Sequence, residues 1–179
     1  MFDRLHEDVR TALETDPAAG SVAEALLYPG LYAVWLHVYV CNPLWERGHQ
    51  FTARLVSQLV RGLTGIEIHP AATVGRRVFV DHGMGVVVGE TAELGDDVNM
   101  YHGVTLGGAS SERVKRHPTV EDGVTLGANA TLVGDITVGE DAKVGAGAVV
   151  VEDVPAGATV VGNPAEVVER EESVELTAD

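Results

Sequence analysis

The sequence predicts a mainly-β protein, a solenoid of very short strands preceded by a small α-helical region. Three observations predict it. An aliphatic residue returns every six positions: Ile68, Val74, Val80 and Val86 open the series, Val88, Leu94, Met100 and Leu106 continue it two residues out of step, and Val120, Leu126, Leu132, Val138, Val144 and Val150 resume it after a break. The intervening residues are Gly, Asp, Asn, Ala and Thr, and the pairs Val74-Gly75, Leu94-Gly95, Leu126-Gly127, Val138-Gly139 and Val144-Gly145 each join an inward apolar residue to a corner. Helical spacing is confined to the part of the chain before this series.

A period of six fits neither the roughly 3.6-residue turn of a helix nor a two-residue alternation, but it suits a coil of three short strands with corners at fixed offsets. Three hexads then make one coil. No hexad can bury its apolar residue alone, so stacking is required. The competing reading is an ordinary sandwich with turns about every ten residues; the regularity of the period speaks against it.

Residues 1–65 form the helical region. Phe2, Leu5, Val9 and Leu13 fall at three- and four-residue steps, and Asp16-Pro17 ends that helix or caps the next turn. From Ala25 to Trp45 there is no Asp, Glu, Lys or Arg, a length that suggests a membrane span. Pro29-Gly30 and Asn42-Pro43 interrupt it, His37 adds a polar group and no basic flank is present, so a pair of buried helices is expected instead. Leu55, Leu59 and Leu63 continue a helical pattern from Phe51, with Gly62 and Gly65 near its end.

The solenoid is expected over 66–165. The stretch 107–118 carries no hexad signal and reads as a loop thrown out of the coil, where a regular scaffold often carries its function. Val161-Gly162-Asn163-Pro164-Ala165 is a turn, and 166–179 is an acidic tail that frays or forms a short helix.

Bulk properties narrow the function. A chain of 179 residues holds one core-bearing domain with an annex, not two enzyme domains. The net charge is −15 and Lys115 and Lys143 are the only lysines, so neither nucleic acid nor membrane is an expected partner. That charge fits either a salt-rich cytosol, where screening offsets carboxylate repulsion, or simply an acidic soluble protein. An anionic ligand must be met by local cations, of which Arg76, Arg77, Arg113, Lys115, Arg116 and Lys143 are the candidates. A lone Cys41 excludes an internal disulfide and fits a reducing cytosol; set in an apolar segment with no base beside it, it is a poor nucleophile. Residues 1–14 are charged throughout, so no cleavable signal is expected and the location is cytoplasmic.

The chemistry-bearing residues are those that break the small-residue pattern. Val80-Asp81-His82-Gly83-Met84-Gly85 places an acid and an imidazole in one rung, with two glycines that leave room for a ligand. In a plain strand Asp81 and His82 face opposite sides, so His82 needs another orienter. Glu67 and His69 lie fifteen and thirteen residues earlier, and a closing coil brings its start near its end. A carboxylate on one imidazole nitrogen leaves the other free to take a proton, as a general base requires; the alternative is a merely solvated histidine. Arg116-His117 closes the extruded loop and offers two donors for a small carboxylate, or is only a solvated basic turn. His102 follows Met100 as His82 follows Val80, so two or three of His82, His102 and His117 converging on a metal is a further reading, a zinc lyase of gamma carbonic anhydrase type. The closely spaced pair of ligand histidines of that family is lacking.

Glu67-Ile68-His69-Pro70, Val80 to Thr91, Val104-Thr105-Leu106-Gly107-Gly108, Arg116-His117-Pro118 and Val161 to Ala165 together resemble the serine O-acetyltransferases. The likeness covers nearly all of Asp16 to Ala165. It implies a left-handed parallel β-helix, an exception to the right-handed crossover rule, assembled as a homotrimer with sites between subunits and sometimes as a dimer of trimers. The implied reaction is acetyl transfer from acetyl-CoA to the hydroxyl of L-serine, with no metal, and cysteine is the implied inhibitor. His82 matches the general base and Glu67 its orienting carboxylate. Asp16 and Asp81 match residues that hold serine, and Arg116 and His117 those at its carboxylate. Gly107, Gly108 and Ala128 match small positions along the pantetheine arm, and Lys143 the nucleotide end of CoA. A different small hydroxyl or amine acceptor, or a non-catalytic scaffold, stays possible on the same fold.

Three departures stand out. Leu36 to Pro43 replaces a segment that usually holds an Arg and a His, His102 replaces a common Gln, and Leu176-Thr177-Ala178-Asp179 lacks a terminal isoleucine, so a complex with the downstream sulfhydrylase is not expected.

Overall fold

The structure, a computed structural model, describes residues 2–168. Among these residues five α-helices come first: α1 (Phe2–Thr15), α2 (Val22–Ala25), α3 (Pro29–Leu36), α4 (Asn42–Glu46) and α5 (Gln50–Thr64). Fifteen strands of two to four residues follow. They wind into three parallel faces. The first holds Glu67–Ile68, Val87–Val88, Thr105–Gly107, Thr131–Val133 and Val149–Val150; the second runs from Thr73–Val74 to Thr137–Val138, and the third from Phe79–Asp81 to Thr159–Gly162. All the hexad residues named above are buried except Val74, which is half-buried against the same core. The interior is therefore a column of aliphatic residues stacked in register, Ile68 under Val88, Leu106, Leu132 and Val150. Removing each fully buried Val or Leu from water contributes about 1.5–3 kcal/mol.

The register locates the irregularities. Along the first face Ile68 pairs with Val88, twenty residues on, while Val88 pairs with Leu106 eighteen residues on. The two extra residues lie in the corner that leads from the third face to the first, the corner of His82. Leu106 pairs with Leu132, eight residues beyond the eighteen-residue coil, and that excess is the extruded loop between Gly107 and Thr119.

One expectation for the helical region changes. A helix does start at Pro29, but Asn42-Pro43 does not break the apolar stretch: one rod runs from Pro29 to Glu46 and passes through a π-turn at His37–Cys41. The Asn42 N–H reaches back to the His37 carbonyl, a wider loop of chain that accommodates the missing N–H of Pro43. Helix α5 ends on Gly65 in the left-handed conformation, φ 74°, which glycine adopts without a steric penalty. Its apolar stripe Phe51, Leu55, Leu59 and Leu63 is exposed, whereas Ala53, Ser57, Val60 and Thr64 face the protein. Spacing gives the stripe but not the side that packs.

Helix α1 lies along the coil through the ion pair of Glu7 with Arg76 at 2.6 Å and the bond from the Arg4 guanidinium to the Gly75 carbonyl, and is tied to α3 by the Trp35 indole N–H, which donates to buried Asp8 at 2.8 Å. At the other end, Ala165–Val167 folds back antiparallel on Thr159–Gly162. Glu166 and Val167 thus form a strand instead of fraying, because the third face offers an unpaired edge there. The rest of the acidic tail, 169–179 with Leu176 to Asp179, lies outside the described residues.

Candidate active site

His82 occupies the tip of the lengthened corner. Its φ of 59°, followed by Gly83 at 69° and Gly85 at 80°, is costly for a residue with a Cβ and marks a turn fixed by its surroundings. The left-handed backbone swings the ring back, so that His82 Nε2 lies 3.8 Å from Asp81 Oδ1. The plain strand geometry that put the two on opposite sides does not hold at this corner. The His82 side chain is 77% exposed. His102, one rung on, meets it edge to face with ring centroids 6.2 Å apart.

Asp16 reaches the same corner from the helical region. Its carboxylate accepts the Tyr28 hydroxyl and, at 2.8 Å, the N–H of Ala18. These bonds hold the Asp16 pKa below the usual carboxylate range and push Tyr28 up to about 12. Asp16 lies within the field of His82 and Tyr28 within that of Asp81, which places the two pairs near one another. Packing explains how: Tyr28 rests on Phe79, ring centroids 6.2 Å apart, and a Cβ on Gly30 would sit 2.2 Å from the Val80 carbonyl. Only glycine lets the start of α3 press this closely on the rung that leads into His82.

Glu67 stands at the start of the first face, one coil below Val87. Its carboxylate is held by Arg61 at 3.0 Å, Arg54 at 3.9 Å and Gln58 at 3.5 Å, all on α5. Among the described residues no bond joins it to His82, so a single chain does not assemble the expected pair.

Arg116 and His117 lie at the opposite edge of the first face. Arg116 donates to Glu90 at 2.6 Å and to the Glu112 carbonyl at 2.8 Å. His117 is buried, and its Nδ1 receives the Thr91 N–H at 3.2 Å and the Thr91 hydroxyl at 2.9 Å. That hydroxyl already accepts the N–H groups of Arg116 and His117, at 3.0 and 3.2 Å, so its own proton points to Nδ1. The proton of the imidazole is thereby fixed on Nε2. Burial, with Arg116 next, lowers the His117 pKa, and the two bonds at Nδ1 leave Nε2–H as the free donor. Glu90 and Thr91 fall within the Val80 to Thr91 stretch but carry no role in the sequence reading, and Tyr28 carries none either. Their partners lie 12 to 26 residues away, and no local spacing signals such contacts.

The small positions divide in the same way. Gly108 adjoins His117, where a Cβ would lie 3.0 Å from His117 Nε2, while a Cβ on Gly107 would meet Thr105, Leu132 and Val133 at 3.6 Å. Ala128 and Asn129 continue the ridge above His102, through the bonds Asn129 N–H to His102 O and Gly147 N–H to Ala128 O. Lys143, on the third face, borders a groove of about 520 Å³ with Gly157, Thr159 and Val161. His82 and His102 meet while His117 sits across the face. Among the described residues no three His, Cys, Asp or Glu gather as a metal site, so the convergence behind the zinc reading does not occur within one chain.

A model of bacterial transferase hexapeptides (six repeats) matches residues 117–151. The serine acetyltransferase of Bacillus subtilis is 53% identical over 169 residues, 94% of this chain and 77% of that protein. The chain belongs to the serine acetyltransferase family. A Neisseria gonorrhoeae serine acetyltransferase solved in complex with serine superposes with a TM-score of 0.89 at 42% identity, over 93% of this chain and 68% of that one. The Brucella abortus serine acetyltransferase solved in complex with coenzyme A gives 0.88 at 37%, over 92% and 66%. This chain thus spans about two thirds of the length of those solved chains. In this family the solenoid is a left-handed parallel β-helix, and that is the fold here. Family membership sets the zinc lyase aside.

Proposed function

We propose that the protein transfers the acetyl group of acetyl-CoA to the hydroxyl of L-serine, giving O-acetyl-L-serine and CoA, with His82 as general base. The observation that carries this is the exposed imidazole of His82, flanked by Asp81 and Asp16 with no Ser, Cys or Lys at its corner to act as a nucleophile. A serine hydroxyl is a weak nucleophile at neutral pH. As its oxygen bonds to the thioester carbon, His82 takes the hydroxyl proton, the C–S bond breaks and the proton passes to the departing thiolate. General-base assistance of this kind typically contributes about 10²–10⁴-fold. Asp16 and Asp81 supply negative charge for the ammonium of the amino acid, and Arg116 with His117 supply donors for its carboxylate. Gly107, Gly108 and Ala128 give the pantetheine arm close access to backbone, and Lys143 suits a phosphate of CoA.

The two halves of this set lie on opposite edges of one face, which supports a homotrimer in which each site takes one half from each of two copies, a head-to-tail contact that closes on three. Glu67 then orients His82 across that contact. The solenoid over 66–165 carries the chemistry and the helical region 1–65 supplies Asp16. Cysteine, serine with a thiol for the hydroxyl, competes at the same site, and the lone Cys41 fits a cytoplasmic setting. The charge of −15 supports a salt-rich one: the unfolding temperature should rise steadily with KCl toward molar concentrations, and a flat response contradicts this.

The direct test is thiol release from acetyl-CoA by purified protein offered L-serine, then other small hydroxyl and amine acceptors. Fast release with L-serine, with O-acetyl-L-serine found by mass, is the expected result. Release with a sugar or amine and none with L-serine transfers the assignment to another acceptor.

A further inference from the structure

We propose that His69 is a substrate-binding residue, its Nε2–H and that of His117 forming a pair of uncharged donors for the carboxylate of the acceptor amino acid. The inference rests on the acyl-transfer reading above and adds a residue to its site. Two residues beyond Glu67 on the same strand line, His69 points outward as Glu67 does. Its Nδ1 accepts the Ala71 N–H at 3.1 Å, which places the ring proton on Nε2, the same tautomer that Thr91 imposes on His117. Its own backbone N–H donates to the Val88 carbonyl at 2.9 Å, so His69 lies directly below Gly89. Over Gly89 lies the His117 ring: a Cβ there would be 1.9 Å from His117 Cδ2 and 2.2 Å from Nε2. His69 thus stands one rung, about 4.8 Å along the coil, from the position that the His117 ring fills over Gly89, so both imidazoles border the same corner, where one carboxylate can take a bond from each.

Among the described residues no acceptor is bonded to His69 Nε2, although the ring is held in place by the edge of Trp45 at 5.0 Å between centroids. The flanking acids do not repel an anion, since Glu67 is paired with Arg61 and Arg54, and Glu90 with Arg116. Burial and the nearby Arg54 bring the His69 pKa down to about 4, so the ring keeps a single proton near neutral pH. A donor fixed in this way costs little to organise when the ligand arrives.

Two variants separate binding from packing. His69→Phe keeps the ring against Trp45 and removes the donor; His69→Gln loses the ring and returns an N–H near the Nε2 position. The expected result is a KM for L-serine raised about tenfold or more in His69→Phe, the loss of one hydrogen bond to a charged group, with KM for acetyl-CoA within about twofold, and substantial recovery in His69→Gln. The reverse order, His69→Phe like the unaltered protein and His69→Gln impaired, overturns the proposal in favour of packing. If His69→Phe does not fold, ¹⁵N imidazole spectra of the unaltered protein decide: L-serine with CoA should perturb the Nε2–H signals of both His69 and His117, and a response at His117 alone overturns it. Absence of L-serine turnover by the unaltered protein would undo the acyl-transfer reading itself, an outcome distinct from normal turnover with an unaffected His69→Phe.

Discussion

At Gly89 the missing side chain is what admits His117. The residue lies beside the first face with the His117 ring across it, and the ring is held there by Thr91. Gly89→Ala should displace the ring and break both bonds to Nδ1, while the strand itself tolerates alanine. The expected outcome is a KM for L-serine raised about tenfold, one or two hydrogen bonds, with the unfolding midpoint little changed; unaltered kinetics would place His117 outside the site. The same scale shows what residues disclose by themselves. Asp81-His82 was legible because an acid and an imidazole interrupt a run of small and aliphatic residues. Their mutual orientation was not, because the alternation of a plain strand fails at a residue that the fold holds at φ 59°. Tyr28 and Thr91 were silent: each orients a site residue through a contact far along the chain, and nothing in spacing distinguishes such a tyrosine or threonine from any other.

The π-turn His37–Cys41 is the element that ties the helical region to the first coil. His37 is buried, and its Nε2 bonds the Ala72 carbonyl at 3.0 Å. Burial, with smaller contributions from Arg4 and His69, lowers its pKa from 6.5 to about 4. A folded-state value below the unfolded one means that acid favours the unfolded chain. The His37 contribution is complete above about pH 6.5 and is lost as pH falls toward about 4. The full loss is about 3 kcal/mol. His37→Leu should flatten the dependence of unfolding free energy on pH in that window by about one proton, read from urea titrations at fixed protein concentration. An unchanged slope would show that His37 titrates normally in the folded protein. Elements were legible where sequence period and packing agree, as in the hexads and the Gly65 stop. They were not where backbone adapts, as at Pro43, or where an amphipathic helix has two usable faces, as in α5 with Phe51, Leu55, Leu59 and Leu63 turned outward.

Across the whole molecule, the solenoid acts as a ruler that keeps two sets of groups apart. His82, Asp81 and Asp16 stand at one edge of the first face, Arg116 and His117 at the other, and a rigid stacked column cannot fold one onto the other. The proposed sharing of sites between copies rests on this separation. Mixing inactive His82→Ala with inactive Arg116→Ala and allowing subunits to exchange should restore about a quarter of full activity, the fraction of head-to-tail contacts that pair one intact half from each copy; no restoration would place both halves in one chain. The sharing was implied by family resemblance and not by the hexads, which predict a column and are indifferent to what covers it. The most direct measurement is the rate of CoA release with saturating L-serine by His82→Ala beside the unaltered protein. A fall of about 10²–10⁴-fold with the assembly and CoA binding preserved is the predicted result, and turnover within a few-fold of the unaltered protein would contradict the account.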